Sequence, residues 1–264
     1  MGTLKLPFAE RYGRWTMVAG ASEGLGLAFA HDLASRGLNL LLIARRAALL
    51  DEAARDVRTR HGVEVRCLAL DLADPGLTDS LADAIAGLEI GVVVYNAAFV
   101  PVGEFVDIDY SDLERVARVN VLGPLAVLNS LLPPMRERGR GAVVLMSSLA
   151  GLQGTPRVAA YAATKAFNTI LAEGLWAELR SSGIEVVGCC AGAIRTPGYL
   201  RAVTGDLPGM LSSEAVARRT LDALGKGPRT VPGRLNRISA QFVTRLLTRR
   251  AAVRLIAANT KDLH

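Results

Sequence analysis

Trp15-Thr16-Met17-Val18-Ala19-Gly20-Ala21-Ser22-Glu23-Gly24-Leu25-Gly26 is the stretch on which the fold turns. Its first five residues are apolar or β-branched and suit a short buried strand. Glycines follow at 20, 24 and 26, and apolar residues then recur with helical spacing over 25–35. Glycine lets a chain turn tightly between a strand and a helix and lets backbone approach another group closely. The unit repeats. Apolar runs at 38–44, 63–70, 92–95, 142–146 and 184–190, with a weaker one at 230–231, read as strands. Helical patterns fill 47–61, 77–86, 109–136, 158–181 and 213–224.

The strands are continuous apolar runs rather than alternating ones, as in a parallel sheet covered on both faces. The expected fold class is therefore α/β: a Rossmann-type, doubly wound, mostly parallel seven-stranded sheet with helices on both faces. With no internal repeat and no low-complexity linker, residues 1–264 read as one domain. Pro133-Pro134 is expected to end the helix of 109–136, and Gly183 that of 158–181.

Half of the 264 residues are apolar, enough for a substantial core. The net charge is +6, but much of the excess falls in the last third, so it does not colour the whole surface. Cys67, Cys189 and Cys190 show no metal-ligand spacing. They read as free thiols in a reducing compartment, and no metal site is expected. The N-terminus shows no apolar core followed by a cleavage site, and no run reaches the ~18–20 residues of a spanning helix. A cytoplasmic protein is the expectation.

The glycine turn has the spacing G-x-x-x-G-x-G. Gly20, Ser22, Glu23, Gly24, Leu25 and Gly26 would cradle a pyrophosphate at a helix N-terminus. The end of the second strand selects the cofactor. An NAD site usually has an acid there to hold the ribose 2′-hydroxyl. Here the strand ends Ile43-Ala44-Arg45-Arg46, with no acid and two guanidiniums suited to a 2′-phosphate. NADP(H) is the predicted cofactor. Asp71, in Leu70-Asp71-Leu72-Ala73-Asp74, could accept a hydrogen bond from an adenine amino group or cap the next helix.

Tyr161 and Lys165 lie four residues apart on one helical face, with Ser148 thirteen residues upstream at the end of an apolar strand. A phenol titrates near ~10, and a neighbouring ammonium favours its ionised form. A tunable phenol, a cation and a hydroxyl donor suit proton transfer at a carbonyl oxygen.

With these pieces in place the chain resembles the short-chain dehydrogenase/reductase family, from about residue 15 to residue 196. The glycine turn, the Leu70–Asp74 segment, Tyr95-Asn96-Ala97-Ala98, Asn120 between two valines, and Ser148 with Tyr161-x-x-x-Lys165 occur in order. The resemblance implies Tyr161 as general acid/base, with Lys165 lowering its pKa and holding the nicotinamide ribose. It implies Ser148, rather than Ser147, as the residue that orients the substrate carbonyl. Asn120 becomes the fourth catalytic residue, distorting its helix and holding a water that links Lys165 to solvent. Leu72 joins Asp71 near the adenine. Asn96, Ala97 and Ala98 would line the ribose, and Ile194 and Thr196 would contact the carboxamide and phosphates. The chain departs from the family at Ala19 (usually threonine), Tyr95 (asparagine), Ala98 (glycine) and Ala191 (proline).

The implied reaction is NADP(H)-dependent interconversion of a small-molecule carbonyl and a secondary alcohol, with a homodimer or homotetramer formed through the long helices. The segment 198–212 would cover the substrate with Tyr199, Leu200, Val203, Leu207, Met210 and Leu211. Val100-Pro101-Val102 and Phe105 would add an apolar wall, so an apolar substrate is expected. Residues 234–264 read as a basic amphipathic helix with Phe242, Leu246, Val253 and Ile256 on one side. Packing on a second subunit or on the pocket is preferred to a membrane surface. Nucleic acid is not expected, because interleaved aromatics and any binding module are missing. The competing readings are an NADPH-binding sensor with little turnover and a membrane-associated lipid or steroid reductase.

Overall fold

Every strand pair in the main sheet is parallel, in the spatial order β3-β2-β1-β4-β5-β6-β9. The strands are β1 (Trp15–Ala19), β2 (Asn39–Ala44), β3 (Val65–Ala69), β4 (Ile90–Tyr95), β5 (Gly141–Ser148), β6 (Ile184–Ala191) and the short β9 (Arg229–Thr230). This computed structural model describes residues 6–202 and 208–259, without the side chains of 200–202 and 259. The strand order reverses between β1 and β4, where the loops at the carboxyl ends diverge and open a crevice.

Helices α2 (Gly24–Ser35), α3 (Ala47–His61) and α9 (Ser213–Leu221) cover one face. Helices α4 (Leu77–Ile85), α6 (Gly123–Glu137) and α7 (Ala159–Leu179) cover the other. β1 is buried along its whole length, and its residues alternate between the layers: Val18 packs under α2, Met17 and Ala19 under α6. That two-sided burial is why the strands are apolar throughout.

Several sequence expectations are corrected. Pro133 and Pro134 lie inside α6, which continues to Glu137. Burial of Leu131 and Met135 against the sheet outweighs the two backbone bonds the prolines forgo. Gly183 does stand in the left-handed region (φ +70°) where the fifth helical stretch ends. The helix expected at 109–136 is α5 (Tyr110–Ala117), a widened π turn (Arg118–Leu122) and α6. Although no uninterrupted apolar run reaches the length of a spanning helix, this span is long and apolar enough on average to cross a membrane by length and composition. It packs against β4 and α7 instead. The tail is not one helix. α10 (Arg234–Gln241) runs into a π turn (Phe242–Leu246), the chain extends at Leu247, and α11 (Arg249–Asn259) restarts after Thr248. α1 (Phe8–Tyr12), a small sheet of β7 (Ile194–Arg195) and β8 (Leu211–Ser212), and α8 (Pro197–Ala202) are too short to leave a periodic signal.

Candidate active site

The glycine turn is built so that only glycine fits. Gly20 has φ +81°, and a Cβ there would stand 2.8 Å from Ala97 backbone. A Cβ on Gly26 would meet the Gly20 carbonyl oxygen at 1.9 Å. Gly24 (φ +58°) lies against Thr196, whose side-chain carbons would be 3.2 Å from an added Cβ. The turn is tied to β2 by the Gly20 and Ala21 N–H groups, which donate to the Ile43 carbonyl at 2.8 and 3.2 Å. It is tied to β4 by Asn96 and Ala97 N–H, which donate to the Ala19 carbonyl. These backbone bonds hold the turn to β4 without the threonine hydroxyl missing at position 19. Among the described residues no side-chain hydrogen bond caps the N-terminus of α2. A bare helix N-terminus in a glycine cradle fits the pyrophosphate of a dinucleotide.

The other predicted cofactor residues divide. Leu25 and Leu72 have side chains buried in the core, so only their backbone is available to a ligand. The Asn96 amide donates to the Gly20 carbonyl at 3.0 Å and so braces the turn, leaving it less free for a ribose. Ala97 packs under Gly20, and Ala98 is exposed. Arg45 and Arg46 are both exposed. Arg46 is drawn toward the turn, pairing with Glu23 at 2.5 Å and reaching the Ser22 hydroxyl at 3.4 Å. Asp71 does not cap α4, whose N-cap is Gly76. It accepts from Ala73 N–H at 3.0 Å and pairs with Arg115. Burial pushes its carboxyl up, but those two partners outweigh burial and hold it below the usual carboxylate range. The Thr196 hydroxyl accepts from Tyr199 N–H at 3.1 Å at the start of α8, and Ile194 pairs with Leu211.

Ser148, Tyr161 and Lys165 converge at the carboxyl end of β5. The Ser148 hydroxyl lies beside the Tyr161 hydroxyl, near enough to draw its pKa down against burial. Ser148 also accepts from Ala150 N–H at 3.1 Å. Ser147 points the other way, donating to the Lys165 carbonyl at 2.7 Å and sharing a 2.7 Å bond with Thr169, so it fastens β5 to α7. Lys165 is 2% exposed and donates to the Met146 carbonyl at 2.8 Å. Burial lowers its pKa to about 8. Burial raises Tyr161, and the opposing influence is the Ser148 hydroxyl. The ammonium sits over the phenol ring, 5.4 Å from its centroid.

Asn120 is fully buried in the π turn. Its amide oxygen accepts from Phe99 N–H at 2.8 Å. Its amide nitrogen donates to the Phe99 carbonyl at 2.9 Å and to the Thr164 hydroxyl at 3.1 Å. Both side-chain donors are thus spent on protein, so the donors cannot hold the implied water. Thr164 and Phe99 escaped the sequence reading. Thr164, a polar residue on a buried helix face three residues past Tyr161, was the available signal.

The substrate-facing segments are partly described. Val203 and Leu207 lie outside the described residues, as does the side chain of Leu200. Tyr199, Met210 and Leu211 are half-buried, Leu211 packing against the core beside Ile194. Val100, Val102 and Phe105 are exposed on the segment after β4. Gly103 N–H on that segment donates to the carbonyl of Arg157, just before α7, at 2.9 Å. In the tail, Val253 lies against Gly154 and Arg249 donates to the Leu152 carbonyl at 2.7 Å, behind Ser148. Asn236, unremarked in the sequence, is 6% exposed and donates to the carbonyls of Gly209 and Pro232 at 3.0 Å each.

Comparison with known proteins follows the same lines. The sequence model of the short chain dehydrogenase family matches residues 14–203. A 7β-hydroxysteroid dehydrogenase of Clostridium sardiniense is 34% identical over 233 residues, 87% of this chain and 89% of that protein. A structure solved to examine 7β-hydroxysteroid dehydrogenase stereoselectivity superposes with a TM-score of 0.91 at 27% identity, over 95% of this chain and 99% of that one. A short-chain dehydrogenase from Sphingobium yanoikuyae in complex with NADPH gives a TM-score of 0.75 at 29% identity, over 83% and 86% of the two chains.

Proposed function

This chain belongs to the short-chain dehydrogenase/reductase family and interconverts a carbonyl and an alcohol; we propose that it does so with NADP(H), on an apolar ketone or secondary alcohol of steroid-like size. The observation that carries the chemistry is the gathering of Ser148 and Tyr161 beside buried Lys165, whose ammonium sits 5.4 Å from the Tyr161 ring centroid and is held by the Met146 carbonyl. A bound nicotinamide supplies or accepts the hydride. In the reduction, Ser148 donates to the substrate oxygen and holds the carbonyl in place, while Tyr161 delivers its proton to that oxygen. In the oxidation, Tyr161 takes the proton back. Lys165 spends one proton on the Met146 carbonyl, which leaves two for the ribose hydroxyls. Asn120 fixes the segment after β4 through both backbone groups of Phe99 and fixes α7 through Thr164. It positions the wall of the site relative to Tyr161.

The preference for NADP(H) rests on Arg45 and Arg46, which follow β2 where the strand itself ends without an acid; Glu23 of the adjacent glycine turn pairs with Arg46 only. The similar dehydrogenase bound to NADPH is consistent with it. The apolar substrate rests on Val100, Val102 and Phe105, which leave an apolar rim in front of the site. The similarity to hydroxysteroid dehydrogenases narrows that class to fused-ring molecules. The proposal includes a homo-oligomer in the cytoplasm. Leu122, Leu125 and Ile170 on the long helices are 54, 39 and 66% exposed and would be covered by a second copy.

The test is a panel of steroid ketones and aliphatic ketones, followed by loss of reduced-nicotinamide absorbance with NADPH and with NADH. Turnover of a fused-ring ketone with NADPH at least about tenfold more efficient than with NADH supports the reading. Equal or better use of NADH removes the cofactor assignment. Turnover confined to small polar carbonyls removes the substrate class.

A further inference from the structure

Helix α10 has an inner and an outer face. The inner face is fastened through Asn236 and Ala240, both buried. The outer face carries Leu235, Ile238, Phe242 and Leu246, spaced three, four and four residues apart and 49, 64, 46 and 74% exposed. Such a row of large apolar side chains on water marks an interaction surface more often than an ordinary exterior. Arg234, Arg237 and Arg245 lie on the same elements, all exposed. Residues 234–259 hold six arginines and no acid.

The charge extends behind the helix. A cleft of about 480 Å³ between α9, β9 and α10 is lined by Arg219, Lys226, Arg229, Arg234 and Arg237. Its single acid, Asp222, is engaged by Arg36 at 3.0 Å. Arg229 has Glu173 at 3.5 Å. Among the described residues, the other four cations of the cleft have no acidic partner.

We propose that this face seats on an anionic lipid surface, with the stripe from Leu235 to Leu246 entering the headgroup boundary and the arginines pairing with lipid phosphates. The arrangement is that of an interfacial amphipathic helix: an apolar edge, a basic edge and no acid. A second copy of the chain is the poorer occupant. A two-fold contact through the same patch would set these arginines against their own equivalents with no acid between them. The seat also lies near the reaction. α11 follows the stripe and rests on Leu152 and Gly154, behind Ser148. An apolar substrate dissolved in the lipid would therefore meet the enzyme close to the rim of its site.

The experiment uses the full chain and vesicles of phosphatidylcholine with or without phosphatidylglycerol. Co-sedimentation with the anionic vesicles at low salt, falling about tenfold at roughly 0.5 M salt, is expected. Two variants carry the surface argument: Ile238→Ser with Phe242→Ser and Leu246→Ser, and Arg234→Glu with Arg237→Glu. Each is expected to lower vesicle binding about tenfold with turnover of a water-soluble ketone unchanged. Should the serine variant prove unstable, the charge reversal, confined to exposed residues, still decides. Equal binding to neutral vesicles, or binding that survives both variants, overturns the proposal. So does absence of binding, whether or not sedimentation equilibrium shows the stripe variant breaking an oligomer; a broken oligomer would assign the face to a second copy.

Discussion

The hydroxyl of Tyr95 donates to the carbonyl of Val119 at 2.6 Å, one residue before Asn120. The π turn at Arg118–Leu122 rearranges the helix bonding, and this phenol satisfies one of its carbonyls inside the core. Gly123 makes room for it: a Cβ at that position would meet the Tyr95 oxygen at 2.1 Å. Tyr95, which departs from the family pattern, is thus a brace for the widened turn.

Tyr95→Phe leaves the Val119 carbonyl without its partner. We expect a loss of about 1–3 kcal/mol of stability in denaturant unfolding. Gly123→Ala is expected to be strongly destabilising alone and markedly milder in the Tyr95→Phe background, because the clash is with the hydroxyl. A double-mutant cycle showing no coupling would refute the brace.

Tyr161→Phe removes the proton donor while keeping the ring. Turnover is expected to fall by ~10²–10⁴, with NADPH affinity by fluorescence titration within about twofold of the parent. Ser148→Ala should lower turnover too. Ser147→Ala should lower the melting temperature more than turnover, since its bonds are to Lys165 backbone and Thr169.

Lys165 has a folded-state pKa of about 8 against 10.5 for the free side chain. Below pH 8 both states carry the charge, and the fold bears the full cost of burying it. Between 8 and 10.5 the folded protein releases the proton first, so this group's contribution to stability rises with pH, in all by an amount on the order of 3 kcal/mol. Tyr161, raised by burial, opposes this only above pH 10. Relative to a Lys165→Met variant, the parent should therefore gain melting temperature from pH 8 to 10. Parallel melting curves across that range would contradict the burial cost.

Arg46 is partly neutralised by Glu23. Glu23→Gln should release it and lower the KM for NADPH without a like change for NADH. Arg45→Asp should cost on the order of tenfold to a hundredfold in kcat/KM with NADPH, the scale of one charge-assisted contact. Identical ratios in parent and variants would show that neither arginine meets the 2′-phosphate.

Most of the sheet was legible because two-sided burial leaves uninterrupted apolar runs, as at Val92-Val93-Val94, and because Gly20 to Gly26 marks one strand–turn–helix junction. The grouping of Ser148, Tyr161 and Lys165 was legible because Tyr161 and Lys165 share a helix face. What depends on contacts distant in sequence was not. The clasp of Asn120 on Phe99 spans 21 residues, and the choice of Glu23 by Arg46 spans 23. Pro133 and Pro134 misled because local propensity yielded to the packing of Met135. The tail was read as one amphipathic helix because its composition is uniform. The break at Leu247 comes instead from Thr248, whose hydroxyl accepts from Ala251 N–H at 3.3 Å and starts a new helix.

The strand–turn–helix junction at Gly20–Gly26, the proposed coenzyme seat, has two layers of unequal tolerance to change. Its frame, Gly20 and Gly26 with the Ile43 and Ala19 carbonyls, admits no extra atom and draws nothing from positions 45 and 46. Those two guanidiniums stand outside the frame and are exposed, Arg46 leaning on Glu23 and Ser22 of the turn. If Arg45 and Arg46 select the coenzyme as proposed, codon changes at those positions would redirect that choice while the frame stays untouched, and lineages sharing this architecture would be free to diverge in coenzyme use long before they diverge in shape.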